Sequence, residues 1–165
     1  MPVLLANDFD FFSRSPEQTR RLGMRLGALL VPGDVVCLQG ELGAGKTTFV
    51  QGLAAGWGSL DAVSSPTFIL VNVYRRADGA QLFHFDTYRV ESVMEAEELD
   101  LDAMIGAGPL VIEWPERMAS VLPAERLWIL LEHIDEDRRQ LTFRPVGKHY
   151  ENILRKFRQT SFGTI

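Results

Sequence analysis

The spacing of apolar residues along the chain predicts alternating helices and strands. Residues 15–18 carry the signals of a helix start, with Ser15 as N-cap, and leucines recur behind them at helical spacing up to about residue 30. The apolar run at 35–38 is typical of a strand that is buried on both faces. Residues 48–55 again favour a helix. The first third of the chain therefore predicts a helix, a strand and a second helix.

The remainder of the chain is richer in strand patterns, which short polar turns join in two places. Strands are predicted over 68–74, 81–86, 110–114, 127–132 and 140–145. A turn containing Asp78-Gly79 makes a hairpin of the first two, and the polar turn 135–138 joins the last two. We expect both pairs to be antiparallel.

The predicted elements together indicate the fold class. Short acidic helices are expected at 95–99 and 102–105, and a final helix over 150–158 in a C-terminal tail over 145–165. Strands that alternate with helices are typical of α/β proteins, and hairpins add antiparallel neighbours to a parallel sheet. We therefore expect a three-layer α/β fold with a mixed, mainly parallel central sheet and hairpin additions.

Composition narrows the class of protein. The 165 residues, 46% of them hydrophobic, fit a single domain over 1–165. The net charge of −5 argues against a protein that coats nucleic acid, so DNA is not an expected partner. Cys37 is the only cysteine and lies in an apolar run, which favours a buried thiol in a reducing compartment. No basic leader and no apolar stretch near the length of a membrane span is found, so a cytoplasmic protein without membrane partners is expected.

Residues 40–47 read Gly-Glu-Leu-Gly-Ala-Gly-Lys-Thr and match the P-loop pattern G-x-x-x-x-G-K-[ST] between a predicted strand and a predicted helix. In such a loop the backbone N–H groups surround phosphate oxygens, the lysine reaches the β- and γ-phosphates, and the last hydroxyl ligates Mg²⁺. The alternative is a glycine-rich turn that carries a lysine by chance. The expected nucleotide-binding residues of the loop are Glu41, Leu42, Gly43, Ala44, Gly45, Lys46, Thr47 and Thr48.

Three further residues are candidates for the chemistry. Glu113 ends a hydrophobic strand, where open α/β sheets place their ligands, although it could be a glutamate that faces water. Asp86 ends another strand and shares a face with His84, which an ordinary solvent-facing strand would also explain. Thr67 in Ser-Ser-Pro-Thr is similar to the switch threonine of GTPases, or belongs to a simple turn.

The order of the motifs resembles one family. These motifs are Gly-Glu-Leu-Gly-Ala-Gly-Lys-Thr-Thr at 40–48, Ser-Pro-Thr-Phe at 65–68, His-Phe-Asp-x-Tyr-Arg at 84–89, Glu-Glu-Leu at 97–99 and Ile-Glu-Trp-Pro at 112–115. Together they are similar to the TsaE (YjeE) family of bacterial P-loop ATPases, from about residue 15 to 123. The resemblance implies an ATPase needed for threonylcarbamoyladenosine in tRNA. Such a protein acts with the TsaB–TsaD complex, which its hydrolysis of ATP resets, and meets tRNA only through that complex.

The same resemblance assigns roles to particular residues. Lys46 and the loop backbone would hold the phosphates, and Thr47 and Glu113 would hold Mg²⁺. Asp86 would orient the attacking water or act as a second carboxylate of the metal shell, and Thr67 would be the switch threonine. Trp114 would lie beside the site, where it could sense the nucleotide state or a partner. By analogy, the adenine contacts come from the first helix near Thr19 and from the turn at Arg138.

Two alternatives to a partner-stimulated ATPase remain at the level of sequence. A small-molecule P-loop kinase would need a lid, commonly with arginines, but residues 87–109 are acidic. A nucleotide-gated switch would use Thr67 and Mg²⁺ to order a loop for a partner. The guanine-reading pattern Asn-Lys-x-Asp is absent, which favours ATP. The motifs contain no assured arginine finger, for which Arg89 is the nearest candidate, so slow turnover by the isolated protein is expected.

Overall fold

The computed structural model describes residues 7–41, 43–63, 71–87 and 100–162. In these ranges the strands are β1 (Phe9–Ser13), β2 (Val35–Gln39), β3 (Val71–Arg75), β4 (Gln81–Asp86), β5 (Leu110–Glu113), β6 (Arg126–His133) and β7 (Arg139–Val146). The helices are α1 (Pro16–Gly27), α2 (Lys46–Trp57), α3 (Leu101–Ala107) and α4 (Lys148–Phe162). Short 3-10 turns follow β5 at Pro115–Arg117 and Ala119–Val121.

All the described strands belong to one mixed sheet, in the order β1-β7-β6-β2-β5-β4-β3. The central strand β2 is parallel to β5 and β6, and β4 is parallel to β5. The hairpins β3–β4 and β6–β7 and the edge strand β1 add antiparallel pairs outside this centre. The predicted α/β fold, with a parallel centre and hairpin additions, is confirmed.

Helical layers cover both faces of the central strands. Because side chains alternate along a strand, Val36 and Leu38 of β2 pack with α1, α2 and α4, whereas Val35 and Cys37 pack with α3 and the 3-10 turns. Cys37 is fully buried, and this burial raises the pKa of its thiol to about 12. The cysteine is therefore the buried, protonated side chain that the apolar run predicts.

Helix α1 holds helix α2 in place through unusually close backbone contact. A Cβ atom added to Gly27 would lie 1.9 Å from the Leu53 carbonyl oxygen, and one added to Gly52 would lie 1.9 Å from the Arg20 carbonyl oxygen. Gly23 and Gly56 make the same kind of approach. Since α2 begins at the last residues of the P-loop, the packing of α1 against α2 also holds the C-terminal end of the loop in position.

Replacing Gly52 with alanine is expected to lower the free energy of unfolding by about 1–3 kcal/mol, because the added methyl group has to push two backbones apart. Gly106 in α3 is the matched control, since a Cβ atom there meets nothing within 4 Å. Thermal unfolding should show a clear loss of Tm for G52A and an unchanged or raised Tm for G106A. Equal Tm values for the two variants would contradict this account of the packing.

The ends of α1 show how local signals fix a helix. The Ser15 hydroxyl accepts a hydrogen bond from the Gln18 N–H at 3.1 Å, as predicted for the N-cap. The Gln18 side chain reaches one residue further back than in the usual capping box and accepts from the Arg14 N–H at 2.7 Å. The helix ends at Gly27, earlier than the predicted end near residue 30. Residues 28–29 form a turn that leads towards β2.

Other predicted elements differ from the structure at their ends. β1 was not predicted, and β5 ends at Glu113, so that Trp114 lies outside the strand. β3 covers Val71–Arg75, while residues 68–70 and the predicted helix at 95–99 lie outside the described residues. The predicted helix at 102–105 is confirmed as part of α3.

The C-terminal helix is longer than the pattern predicted. α4 covers Lys148–Phe162 within the expected tail and packs Phe157 against Phe143 of β7, with ring centres 5.0 Å apart. Its Tyr150 hydroxyl accepts a hydrogen bond from the Val35 N–H at 2.9 Å. In the described part of the chain, neither this helix nor any other is long and apolar enough to cross a membrane.

Candidate active site

The loop between β2 and α2 forms the backbone of the candidate site. Gly43 and Gly45 have φ angles of 81° and 102°, in the left-handed region that favours glycine. Gly40 is needed for space, because a Cβ atom there would lie 2.7 Å from the Leu131 carbonyl oxygen. Gly45 begins α2 without a capping side chain, and the first turn carries no acidic residue. A helix start of this kind presents its N–H groups and its positive dipole end to an anion such as phosphate.

Lys46 is a buried cation at the start of α2, with 6% of its surface exposed. Its Nζ donates hydrogen bonds to the carbonyl oxygens of Gly40 and of Glu41, the latter at 3.1 Å. The ammonium lies 4.1 Å from the centre of the Trp114 ring. Burial lowers the pKa of Lys46, while nearby carboxylates, Glu113 most strongly, act to raise it. The lysine is therefore held by groups that phosphate oxygens can replace.

The two predicted carboxylates lie side by side at the carboxyl ends of neighbouring parallel strands. β5 lies beside β2 with Glu113 paired to Leu38, and β4 lies beside β5 with Asp86 paired to Glu113. Glu113 is buried, whereas Asp86 is half-buried. Both carboxylates act on the pKa of Lys46. The structure thus brings Lys46, Asp86 and Glu113 together, with Thr47 one residue further along α2.

His84 is fully buried and links Glu113 to the edge of the sheet. Its Nε2 lies 2.5 Å from Glu113 Oε2, and its Nδ1 lies 2.9 Å from the Tyr74 hydroxyl. The alternation of β4 places Phe83 and Phe85 in the core on the other face. His84 is thus a hydrogen-bonded strand histidine, and the solvent-facing alternative for this residue is wrong.

Trp114 follows Glu113 in a strained conformation. Its φ and ψ of 61° and 46° make it the one non-glycine residue with positive φ among the described residues. The Thr87 hydroxyl donates to the carbonyl oxygens of Glu113, at 3.0 Å, and of Trp114. Such strain persists where surrounding contacts hold it, and it is concentrated at functional sites. Here it lays the indole ring over Lys46. Thr87 was missed because these contacts join two separate strands.

Arg139 is a second residue that sequence reasoning missed. At the start of β7, its Nε donates to the Ala44 carbonyl oxygen at 3.1 Å and its Nη2 to that of Gly43 at 3.2 Å. Its Nη1 donates to carbonyl oxygens of the β6–β7 turn, at Asp135, Glu136 and Arg138. The guanidinium therefore ties the P-loop backbone to this turn and brings a positive charge close to the phosphate-binding loop.

Replacing Arg139 with methionine is expected to weaken ATP binding about tenfold, the effect of about 1.4 kcal/mol. The loop loses two charged hydrogen bonds, and each such bond contributes about 1.5–3 kcal/mol to the stability of a folded structure. R139K should restore only part of the affinity, since a lysine cannot reproduce the planar fork. Arg75 is the control, since its side chain is 72% exposed. Calorimetric titration with ATP measures all three, and equal affinities for R139M and R75M would refute the bracing role.

The remaining predicted contact residues are distributed differently. Thr19 is buried, and its hydroxyl lies 2.6 Å from that of Ser13. Arg138 is exposed and pairs with Asp135 at 2.5 Å, next to the turn that Arg139 ties to the P-loop. Thr48 is half-buried in the first turn of α2. Leu42 and Thr67 lie outside the described residues. The adenine contacts at Thr19 and Arg138 stay predictions.

The donor set suits a magnesium ion that arrives with a nucleotide. Among the described residues, no group of three or more His, Cys, Asp or Glu side chains could hold a metal ion by itself. Mg²⁺ in phosphate-transfer proteins usually takes one or two protein oxygens and completes its shell with phosphate and water. A hydroxyl at Thr47 and carboxylates at Glu113 and Asp86 are hard oxygen donors of that kind. These residues therefore fit the ion.

Comparison with known proteins identifies the family. The model of the family described as threonylcarbamoyl adenosine biosynthesis protein TsaE matches residues 13–141. The chain belongs to the TsaE family. The TsaE protein of Bacillus subtilis (strain 168) is 42% identical over 141 residues, which cover 84% of this chain and 87% of the relative. That of Treponema pallidum (strain Nichols) is 43% identical over 131 residues, which cover 79% and 96%.

A solved structure agrees with this assignment. The crystal structure of YdiB from Bacillus subtilis is similar to this fold with a TM-score of 0.79 and 32% sequence identity. The similarity covers 96% of this chain and 99% of that protein. Family membership therefore extends to the whole architecture around the P-loop, and the resemblance inferred from the motifs is confirmed.

Proposed function

We propose that this member of the TsaE family hydrolyses ATP to support threonylcarbamoyladenosine modification of tRNA in the cytoplasm. In this proposal the protein acts with the TsaB–TsaD complex, which hydrolysis resets between turnovers, and tRNA meets it only through that complex. Family membership supports the pathway. The observation that carries the activity is the buried Lys46 of a P-loop beside the carboxylates of Glu113 and Asp86.

The chain's own groups divide the work of binding. The P-loop N–H groups hold the phosphates, and Lys46 exchanges its contacts with carbonyl oxygens and Trp114 for the β- and γ-phosphate oxygens. Thr47 and Glu113 would hold Mg²⁺. When bound, Mg²⁺ neutralises the charge that develops on the phosphates. Catalysis then consists mainly of positioning and charge neutralisation.

Asp86 is the residue that we assign to the attacking water. A water molecule adds to the γ-phosphorus, the bond to the β–γ bridging oxygen breaks, and ADP and phosphate leave. Asp86 is paired with Glu113 across adjacent strands, and it is more exposed than its neighbour. A half-buried carboxylate can accept a hydrogen bond from a water molecule, which aligns that water for attack.

Replacing Asp86 with asparagine is expected to lower turnover about 10²–10⁴-fold, because the group that orients the water loses its charge, while ATP binding changes little. Single-turnover hydrolysis and calorimetric titration separate the two effects. Asp78, which is exposed and paired with Arg76 in a hairpin turn, gives a matched D78N control. A D86N variant with an unchanged rate would remove Asp86 from the mechanism.

The dependence on partners is tested directly. In the described part of the chain, the guanidinium nearest the P-loop is that of Arg139, which already donates to backbone carbonyls. A group supplied by a partner can raise phosphoryl transfer about 10³–10⁵-fold. Hydrolysis of ATP and GTP should therefore be measured with and without TsaB–TsaD and tRNA, with slow, ATP-selective and stimulated turnover expected. Turnover of tens per second by the isolated protein, with no stimulation, would overturn the proposal.

A nucleotide-gated switch is the second candidate function. The contact between Lys46 and Trp114 favours it. When phosphate binds the Lys46 ammonium, the surroundings of the Trp114 ring change as well, and this residue is next to Glu113 in the chain. A non-hydrolysable ATP analogue separates the two functions. If the analogue supports repeated rounds of tRNA modification as well as ATP does, binding is the function and hydrolysis is incidental.

A further inference from the structure

Three buried side chains are hydrogen-bonded in a row from the edge strand β3 to Glu113, the candidate metal ligand. We call Tyr74, His84 and Glu113 the relay. Tyr74 lies on the edge strand β3, His84 on β4 and Glu113 on β5, and their exposed fractions are 3%, 0% and 4%. The hydroxyl–Nδ1 distance is 2.9 Å and the Nε2–Oε2 distance is 2.5 Å. Each of three neighbouring strands thus supplies one member, which fixes the spacing through the sheet itself.

The positions of the protons in the relay follow from which groups can donate a hydrogen bond and which can only accept one. An ionised carboxylate only accepts hydrogen bonds, so Nε2 of His84 must donate to Glu113. A neutral imidazole then has Nδ1 as its acceptor, and the Tyr74 hydroxyl is the donor that satisfies it. The carboxylate therefore sets the tautomer of the histidine, the tyrosine stabilises that tautomer, and the histidine fixes one oxygen of the glutamate.

We propose that Tyr74 and His84 are positioning residues that hold the Glu113 carboxylate in the orientation that Mg²⁺ requires. This inference rests on the proposed role of Glu113 as a magnesium ligand. Partners behind a ligating carboxylate typically change metal affinity or activity 10–100-fold when they are removed. Both side chains are buried, and His84 contacts Glu113 directly, so we expect their effect on Mg²⁺ to pass through Glu113.

The first test removes single atoms and measures the Mg²⁺ concentration that half-saturates the tightening of ATP binding. Y74F should raise this concentration about tenfold, while ATP affinity in the presence of EDTA stays unchanged. Y150F is the matched control, because Tyr150 is also buried and its hydroxyl accepts a hydrogen bond from the Val35 N–H. The two variants should lose similar Tm, but only Y74F should change the response to Mg²⁺. Equal responses would overturn the relay.

Variants of His84 test the middle member of the relay. H84Q retains an N–H donor that can reach Glu113, so it should keep more of the Mg²⁺ response than H84A. If H84A keeps the full response, the histidine does not position Glu113. A further arm uses E113Q: if that variant too leaves the Mg²⁺ response unchanged, the metal role of Glu113 is wrong. A changed response in E113Q together with unchanged responses in Y74F and H84A refutes the relay only.

A spectroscopic measurement on the unmodified protein tests the proton positions directly. In the ¹⁵N-histidine spectrum of the unmodified protein, the His84 ring should carry its proton on Nε2, with Nδ1 as acceptor. In Y74F the Nδ1 signal should move, because its donor is gone. A ring with its proton on Nδ1 in the unmodified protein would overturn the inference, since it would leave Glu113 without a donor.

Discussion

A Lys46→Ala variant is expected to lose ATP binding by about 100-fold or more, and hydrolysis with it. The ammonium is surrounded by acidic groups, because Glu113, Glu116, Asp86 and Glu41 all act on its pKa. Without Lys46, the triphosphate would face these carboxylates without the ammonium that offsets their charge. In other enzymes, removing one donor that stabilises developing negative charge lowers kcat about 10²–10³-fold, and a loss of at least this size is expected for hydrolysis here.

The stability of this variant distinguishes a binding role from a structural one. Burial disfavours the charged form of Lys46 and lowers its pKa, so the folded state gains little from the ammonium. K46A should therefore unfold at a Tm close to that of the unmodified protein, or higher. Lys148, which begins α4, provides a K148A control. ATP binding by K46A within threefold of the unmodified protein would exclude Lys46 from phosphate binding.

Local sequence signals were sufficient to predict the P-loop and the position of Glu113 at the end of its strand. The P-loop is a continuous motif, and its glycines at 43 and 45 have the left-handed φ angles that such a loop requires. Glu113 was identified because the end of a hydrophobic strand has a known place in an open sheet. Both predictions depend on neighbours in the chain or on one strand, and local pattern can supply that information.

The supporting contacts depend on pairing between distant segments. Tyr74 and Glu113 are joined through His84 only because β3, β4 and β5 are adjacent in the sheet. Arg139 reaches the P-loop from the far side of β6, although its neighbour Arg138 was the residue named from the sequence. No single-segment pattern contains the order of the strands, so these roles could not be predicted.

The unpredicted strand β1 has the same origin. Its five residues are Phe-Asp-Phe-Phe-Ser, and the alternation of Phe9, Asp10 and Phe11 is too short to predict a strand by itself. In the sheet, Asp10 accepts hydrogen bonds from the Thr142 hydroxyl at 2.6 Å and from the Gln140 amide at 3.1 Å, both on β7. Pairing with β7 therefore stabilises a strand that is too short to be recognised from its own sequence.

A Glu113→Gln variant is expected to lower turnover by about 10²–10³, comparable to the loss of one charge-stabilising group in other enzymes. The amide oxygen of glutamine can still accept a hydrogen bond from His84, so the buried contact is kept while the charge is removed. ATP binding with Mg²⁺ should weaken, because the ion loses an anionic ligand. In the presence of EDTA the same variant should bind ATP as tightly as the unmodified protein or more tightly, since one negative charge beside the phosphates is gone.

The opposite signs of these two binding changes are what identify a metal ligand. A glutamate that only balanced the charge of Lys46 would change ATP affinity in the same direction with and without Mg²⁺. Glu116 is the matched control, because it also acts on the pKa of Lys46 and lies in the 3-10 turn after Trp114. E116Q should change affinity slightly and equally in both conditions. If E113Q behaves in the same way, its carboxylate supplies charge to the site but does not bind Mg²⁺.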